Sequence, residues 1–151
     1  MISQILKTSI MSIGIGFLAQ LMQSSLNTNY LNNFLSQNLI TILIALLAIN
    51  SATLGIVLTK IRDLVEKHGN AECFITTKQH MILSIKEQIA LIIFAVIFLT
   101  VVSSSIIASY TNLKMLFDAT VVAVFAYALF VLYDTARGVL IIIDFDVNNN
   151  G

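Results

Sequence analysis

Long uncharged runs alternate with short polar segments along this chain. Residues 8–59 and residues 88–113 contain no Asp, Glu, Lys or Arg. Apolar stretches of 18 or more residues without charge are typical of helices that cross a membrane. The pattern therefore predicts an all-α membrane protein, built as a single membrane domain over residues 1–151, with four transmembrane helices at residues 5–26, 39–61, 87–110 and 115–143.

Polar segments join the predicted spans. Five asparagines fall within residues 27–38, which we interpret as a loop with a helical turn around residues 30–35. Residues 60–87, the charged segment, hold nine of the sixteen formal charges. Within this segment His68-Gly69-Asn70 indicates a helix end, so the second span is expected to continue as helix to about His68. Thr76 or Thr77 is expected to cap the next helix, and residues 111–114 to form a short turn before the last one.

The distribution of Lys and Arg predicts the orientation. Five of the eight basic residues lie in the charged segment, and Lys7 and Arg137 fall on the same side of a four-span chain. Lys114 alone falls on the opposite side. Because basic residues are enriched in cytoplasmic segments, the charged segment and both termini are expected in the cytoplasm. Spans two and four would then carry helical extensions into the cytoplasm.

The composition agrees with a membrane protein. Hydrophobic residues make up 58% of the chain and charged residues 11%, with a mean hydropathy of +0.92. A soluble domain carries about 25% charged residues, so a soluble class is excluded. The formal net charge is zero, which gives no reason to expect direct binding of nucleic acid. A lone cysteine excludes an internal disulfide bond.

Small residues recur on the second span. Ala45, Ala48, Ala52 and Gly55 are spaced by three, four and three residues, and we call them the small-residue face. Helices in lipid associate through small residues that let backbones approach, so this face predicts packing between copies of the chain. Asn50 lies near the middle of the same span. We assign it to this packing, because a lone amide in a span more often hydrogen-bonds a neighbouring helix than lines a pore.

The fourth span is longer than a bilayer requires. About 20 residues cross the hydrocarbon core, whereas residues 115–143 are all predicted to be helical. Asp134 and Arg137 can pair three residues apart and mark the inner interface. An apolar stretch follows them, and exposed apolar patches often mark contacts. We therefore predict a docking site for a cytoplasmic effector protein at Asp134, Arg137, Leu140, Ile142 and Phe145. The alternative is that residues 140–143 pack on the charged segment of the same chain or of a neighbour.

Candidate catalytic and metal-binding groups are few. His68, Cys73 and His80, together with Glu66 and Glu72, match no zinc-binding spacing. The chain contains no phosphate-binding glycine loop and no GxSxG motif. Our interpretation places no acidic residue in the middle of a span, which disfavours ion-coupled transport. We therefore expect no enzyme activity, no metal and no cofactor.

The layout resembles the small four-span membrane subunits of bacterial antiphage defence systems, such as the membrane subunit of the Kiwa system. The shared features are four spans, cytoplasmic termini, a charged central segment and a fourth span extended to Asp144 and Asp146. The resemblance implies a homo-oligomeric sensor in the bacterial inner membrane. It further implies a cytoplasmic effector that acts on phage DNA, because nothing in this chain is suited to binding nucleic acid itself.

Two other functional classes stay open. Immunity proteins against pore-forming colicins share the size and the layout, and would neutralise a toxin through helix contacts within the membrane. A holin-like or channel-like pore former would instead turn Asn50, Gln20 and Gln23 toward a lumen.

Overall fold

The computed structural model describes the backbone of residues 2–68, 74–103 and 111–150, and the side chains of residues 5–66, 74–103 and 114–143. Within these residues the fold is all-helical and contains no strand. All four helices are long and apolar enough to cross a membrane, so the predicted class of a four-helix, all-α chain is confirmed. The helices are α1 (Ile2–Ser25), α2 (Tyr30–His68), α3 (Ile75–Val102) and α4 (Thr111–Asn150).

The loop expected over residues 27–38 is shorter than predicted, because α2 already begins at Tyr30. Asn27 has a φ of 49°, a left-handed conformation that asparagine tolerates and that reverses the chain after α1. The Thr28 hydroxyl accepts a hydrogen bond from the Tyr30 amide, which caps the new helix. Leu35 is buried within the next turns, so packing favours helix where the asparagines indicated a loop. At its other end α2 reaches His68, as predicted.

Two further boundaries differ from expectation. The helix α3 begins at Ile75, one residue after Phe74, so Thr76 and Thr77 lie inside it and neither is its cap. Phe74 provides no side-chain cap but is buried in a hydrophobic cluster, which fixes the start of the helix by packing. The turn expected at residues 111–114 is the first turn of α4. The turn predicted at Gly69 and Asn70 and the predicted end of span three lie outside the described residues.

The last helix is the centre of the bundle. It packs against each of the other three helices, and α2 packs in addition against α3. In an 18-residue apolar stretch of α4, 44% of the residues are buried, against 11–22% in the corresponding stretches of the other helices. Gly16 of α1 lies against Ala119 and Ala123, whereas Gly138 lies beside Met81 and Thr77. Helices α1 and α3 run antiparallel to α4, and α2 runs antiparallel to α3.

One end of the bundle therefore collects the start of α1, the end of α2, the start of α3 and the end of α4. We call it the charged end, because Lys7, Lys60, Lys86 and Arg137 lie toward it. A hydrophobic cluster fills it, formed by Val57, Leu64, Phe74, Met81 and Ile142. A second cluster lies nearer the opposite end and is formed by Leu35, Leu39, Leu43, Leu46, Ala95, Val121, Val122, Val124 and Ala128.

The surface of the bundle is apolar along the spans. Large hydrophobic side chains of α1 and α3 point outward, among them Ile10, Ile13, Phe17, Ile93 and Ile97. A soluble protein rarely exposes contiguous apolar surface on this scale. Such a surface suits contact with lipid, in agreement with four helices that are apolar enough to cross a membrane.

Candidate functional site

The part of α4 that follows Arg137, which we call the extension of α4, packs against the charged end through Ile142. This side chain is only 2% exposed and packs in the cluster that contains Leu64 of α2 and Met81 of α3. Ile142 therefore packs within the chain, which was the alternative prediction, and Ile142 is not an exposed docking residue. Leu140, in contrast, is 60% exposed. The side chain of Phe145 lies outside the described residues, as do those of Asp144 and Asp146.

A cavity of about 280 Å³ lies beside this extension, between α1, α3 and α4. We call it the polar cavity. Met81 and Val131 contribute apolar wall, and Thr8 reaches it from α1. Its other polar groups come from α3 and α4, and they are Thr76, Thr77, His80, Ser84, Glu87, Tyr127, Asp134 and Arg137.

Helical spacing explains why these groups converge. On α3, His80, Ser84 and Glu87 follow one another at steps of four and three, which places them on one face. Tyr127 and Asp134 are two turns apart on α4 and face them across the gap. Ile5 and Thr8 of α1 approach this α3–α4 surface and complete the lining of the cavity.

Glu87 is the distinctive charge in the polar cavity. It is half-buried, and its electrostatic neighbours include the Tyr127 hydroxyl and the Asp134 carboxylate. Among the described side chains, no lysine or arginine nitrogen lies within 4.0 Å of its carboxylate. Arg137 lines the same cavity but is exposed at its rim. Glu87 and Asp134 thus place two carboxyl groups in one wall of the cavity.

Sequence reasoning missed Glu87 and Tyr127 as partners in one site. Glu87 was interpreted as the first residue of a span within a helix that begins near Thr76, and the structure places it inside α3. The signal that could have found the site is the pair of matching helical steps, from His80 to Glu87 and from Tyr127 to Asp134. Asp134 and Arg137, predicted as an ion pair for partner docking, both line the cavity, and their pairing stays a prediction.

Asn50 of α2 is buried and faces Gln88 of α3. Its Nδ2 donates a hydrogen bond of 2.6 Å to Gln88 Oε1. Among the described residues, Asn50 Oδ1 and Gln88 Nε2 have no hydrogen-bond partner. The expected helix–helix role of this amide is thus seen inside one chain, and its contribution to an oligomer stays a prediction.

The two glutamines proposed for a pore also bond within the chain. Gln23 Nε2 donates to Asn32 Oδ1 at 3.1 Å, and Asn32 Nδ2 donates to Gln20 Oε1 at 2.7 Å. All three side chains are buried where α1 meets the start of α2. Their amides join two helices of the same bundle, so in the single chain they do not face open space.

The small-residue face points outward. Ala45, Ala48, Ala52 and Gly55 are exposed, and a Cβ added at Gly55 would meet no atom within 4 Å. Asn50 is two residues from both Ala48 and Ala52, and two helical residues are separated by about 200° around the axis. The face therefore lies opposite the buried side of α2. It is accessible to lipid or to another copy of the chain, and its role in an oligomer stays a prediction.

Of the residues considered for metal binding, the structure describes the side chains of Glu66 and His80. Glu66 is exposed and forms a salt bridge of 3.6 Å with Arg62, whereas His80 lines the polar cavity. Across the part of the chain that the structure describes, no group of three or more His, Cys, Asp or Glu residues could hold a metal ion. Glu72, Cys73 and the side chain of His68 lie outside that part.

Comparison with known proteins adds no relative. No family model, curated protein or solved structure matches the chain. The resemblance to antiphage membrane subunits therefore rests on layout alone. The features that carry an argument about function are the extension of α4, the polar cavity and the outward small-residue face.

Proposed function

We propose that this chain is an oligomeric membrane scaffold that docks a cytoplasmic effector protein at its charged end. The observation that carries the proposal is the exposed apolar surface on the extension of α4. Leu140, Ile141 and Ile143 are all about half exposed or more, and they flank the buried Ile142. In keeping with the layout it resembles, we assign the scaffold to antiphage defence in the bacterial inner membrane.

Helix length supports this placement. The helix α4 has 40 residues and is therefore about 60 Å long, roughly twice the thickness of a hydrocarbon core. Much of it must lie outside the hydrocarbon, and its apolar side chains there face water unless something covers them. Because Ile142 packs against α2 and α3, the extension of α4 is fixed in position relative to these two helices. An apolar centre bordered by charge, such as that of Arg137, suits a protein partner.

The outward small-residue face supports assembly with further copies. It lies on the side of α2 that none of the described helices of the same chain covers, and small residues let a second helix approach closely. The pore-forming alternative is less favoured, because it relied on amides that bond inside the chain. The immunity-type alternative is an outcome of the experiment below.

The test is capture of the partner from cells in mild detergent, with the mass of the complex measured. Replacing Leu140 and Ile143 by Ala should abolish capture of a cytoplasmic protein while the chain still inserts in the membrane. The matched control is Ile97→Ala, an exposed apolar residue of α3 that should leave capture unchanged. Equal capture by both variants would remove this surface from consideration. Capture of a pore-forming toxin, or a conductance in planar bilayers, would favour the alternatives.

A further inference from the structure

We propose that a groove between α1 and α4 holds one acyl chain of a membrane phospholipid, which inserts from the charged end of the bundle. This inference goes beyond the scaffold function and does not depend on it. It rests on the lining, the size and the depth of a second cavity, which has a volume of about 590 Å³. We call this cavity the apolar groove.

The apolar groove exists because α1 and α2 have little contact with each other. Among the described helices, α1 packs extensively only against α4. The hydrogen bonds that join it to α2 lie beside the connecting turn, where two glutamines of α1 bond Asn32. Away from that turn, Ile15 and Ala19 of α1 form one wall of the groove, α4 forms the other, and Leu31 contributes from the start of α2.

The lining of the apolar groove is almost entirely hydrocarbon. Nine side chains form it, and among these nine the Tyr133 hydroxyl is the only group that can form a hydrogen bond. A ligand inside the groove must therefore offer hydrocarbon, since a buried polar atom without a partner costs free energy. The apolar residues that α4 contributes are Val122, Phe125, Ala126, Leu129 and Phe130.

The size of the groove selects a slender occupant. Its volume lies within the range of about 300–1,000 Å³ that small-molecule pockets have. A stable protein interface takes about 20–30 residues from each partner, more than twice the nine that line this groove. A second copy of the chain or a partner protein would thus find too little surface here, whereas a single hydrocarbon chain needs no more.

The length and the position of the groove match one leaflet of a bilayer. From Val122 to Tyr133 it follows about 16 Å of α4, and one leaflet contributes about half of a hydrocarbon core that is about 30 Å thick. Tyr133 lies at the end of the groove nearer the charged end and is 65% exposed. Tyrosine is enriched where hydrocarbon meets headgroups, so the carbonyl end of the acyl chain lies at Tyr133. Its methyl end then reaches toward Val122 and Leu31.

The first measurement photolabels the full-length protein in delipidated detergent micelles. The probe is a phosphatidylcholine with a diazirine near the methyl end of one acyl chain. Labelling of groove residues should saturate as the probe concentration rises, because the groove holds one chain. Labelling of Ile93 and Ile97 on the open face of α3 should rise in proportion to the concentration. Groove labelling that is absent, or that does not saturate, overturns the proposal.

A second probe, with the diazirine next to the carbonyl carbon of the acyl chain, tests the direction of insertion. It should label Leu129 and Tyr133, whereas the first probe should label Val122 and Leu31. The reverse pattern, or the same pattern with both probes, overturns insertion from the charged end.

The last measurement fills the groove. Ala19→Leu adds three carbons to its wall and should weaken saturable labelling about tenfold or more, because these carbons take the place of buried methylene groups of the lipid. The matched control is Ala90→Leu at an exposed position of α3, which should be labelled like the parent. If Ala19→Leu does not purify as a monodisperse protein, Ala126→Leu replaces it.

Unchanged saturable labelling in the folded variant would overturn the assignment to this groove. A second copy of the chain as the occupant has a different outcome. In that case labelling of the parent does not saturate, and the mass of the assembly in mild detergent falls in Ala19→Leu but not in Ala90→Leu.

Discussion

Asn50 and Gln88 show what a single pair of residues contributes to this bundle. One hydrogen bond joins their side chains in a largely apolar interior, and each amide keeps one buried atom without a partner among the described residues. Burying an amide atom without a partner costs free energy, so the pair combines one hydrogen bond with two unsatisfied polar atoms. The position of Asn50 alone predicted that it would bond a neighbouring helix. Its partner could not be predicted, because one sequence does not fix the register between two helices.

Replacing one of the two amides should lower the free energy of unfolding more than replacing both. Asn50→Leu or Gln88→Leu leaves the other amide buried with no bond, and each should lower the free energy of unfolding by about 1–3 kcal/mol. The double variant removes both amides and should come close to the parent protein. The measurement is denaturant unfolding in detergent as a double-mutant cycle, with the exposed Gln37→Leu as the control. A double variant as unstable as the sum of the two single ones would contradict the argument.

Among the elements, α4 is the one whose environment the sequence described least well. Its length and apolar character were predictable, and so was the continuation of α2 to His68. Its central place was not, because uniform hydrophobicity does not reveal which face meets which helix in lipid. The early start of α2 was missed for a related reason. Asn32 is a loop-forming residue by type, but here it is buried and bonded to Gln20 and Gln23.

The contact between α1 and α4 depends on Gly16. A Cβ at this position would collide with the carbonyl oxygen of Ala119, so Gly16→Ala must push the helices apart. We expect a loss of about 1–3 kcal/mol in the free energy of unfolding. Gly14→Ala is the matched control, because a Cβ there meets nothing within 4 Å and alanine favours helix. Unfolding of both variants in detergent checks the difference, and equal stabilities would mean that the close approach at Gly16 has no energetic weight.

For the whole molecule, the distribution of exposed groups separates two kinds of surface. The exposed side chains along α1 and α3 are large and apolar, which suits fluid lipid tails. The exposed side of α2 combines the small-residue face with the large side chains of Ile44, Ile49 and Ile56, and small residues between large ones let another helix pack closely. The spacing of Ala45, Ala48, Ala52 and Gly55 was visible in the sequence. That it faces away from the other three helices required the structure, because small residues serve contacts within a chain equally well.

The outward position of the small-residue face allows a direct test of the prediction that copies of the chain associate through it. Ala52→Leu or Gly55→Leu adds bulk where the single chain has open space, so the fold of one copy should tolerate either change. A copy packed against this face would be forced away, and the mass of the assembly in mild detergent should fall toward that of a single chain. Ala90→Leu, an equal increase in size at an exposed position of α3, is the control and should keep the parent mass. The measurement is light scattering coupled to size exclusion, with detergent mass subtracted. If the α2 variants keep the mass of the parent oligomer, this face contacts lipid, and copies of the chain must associate through another surface.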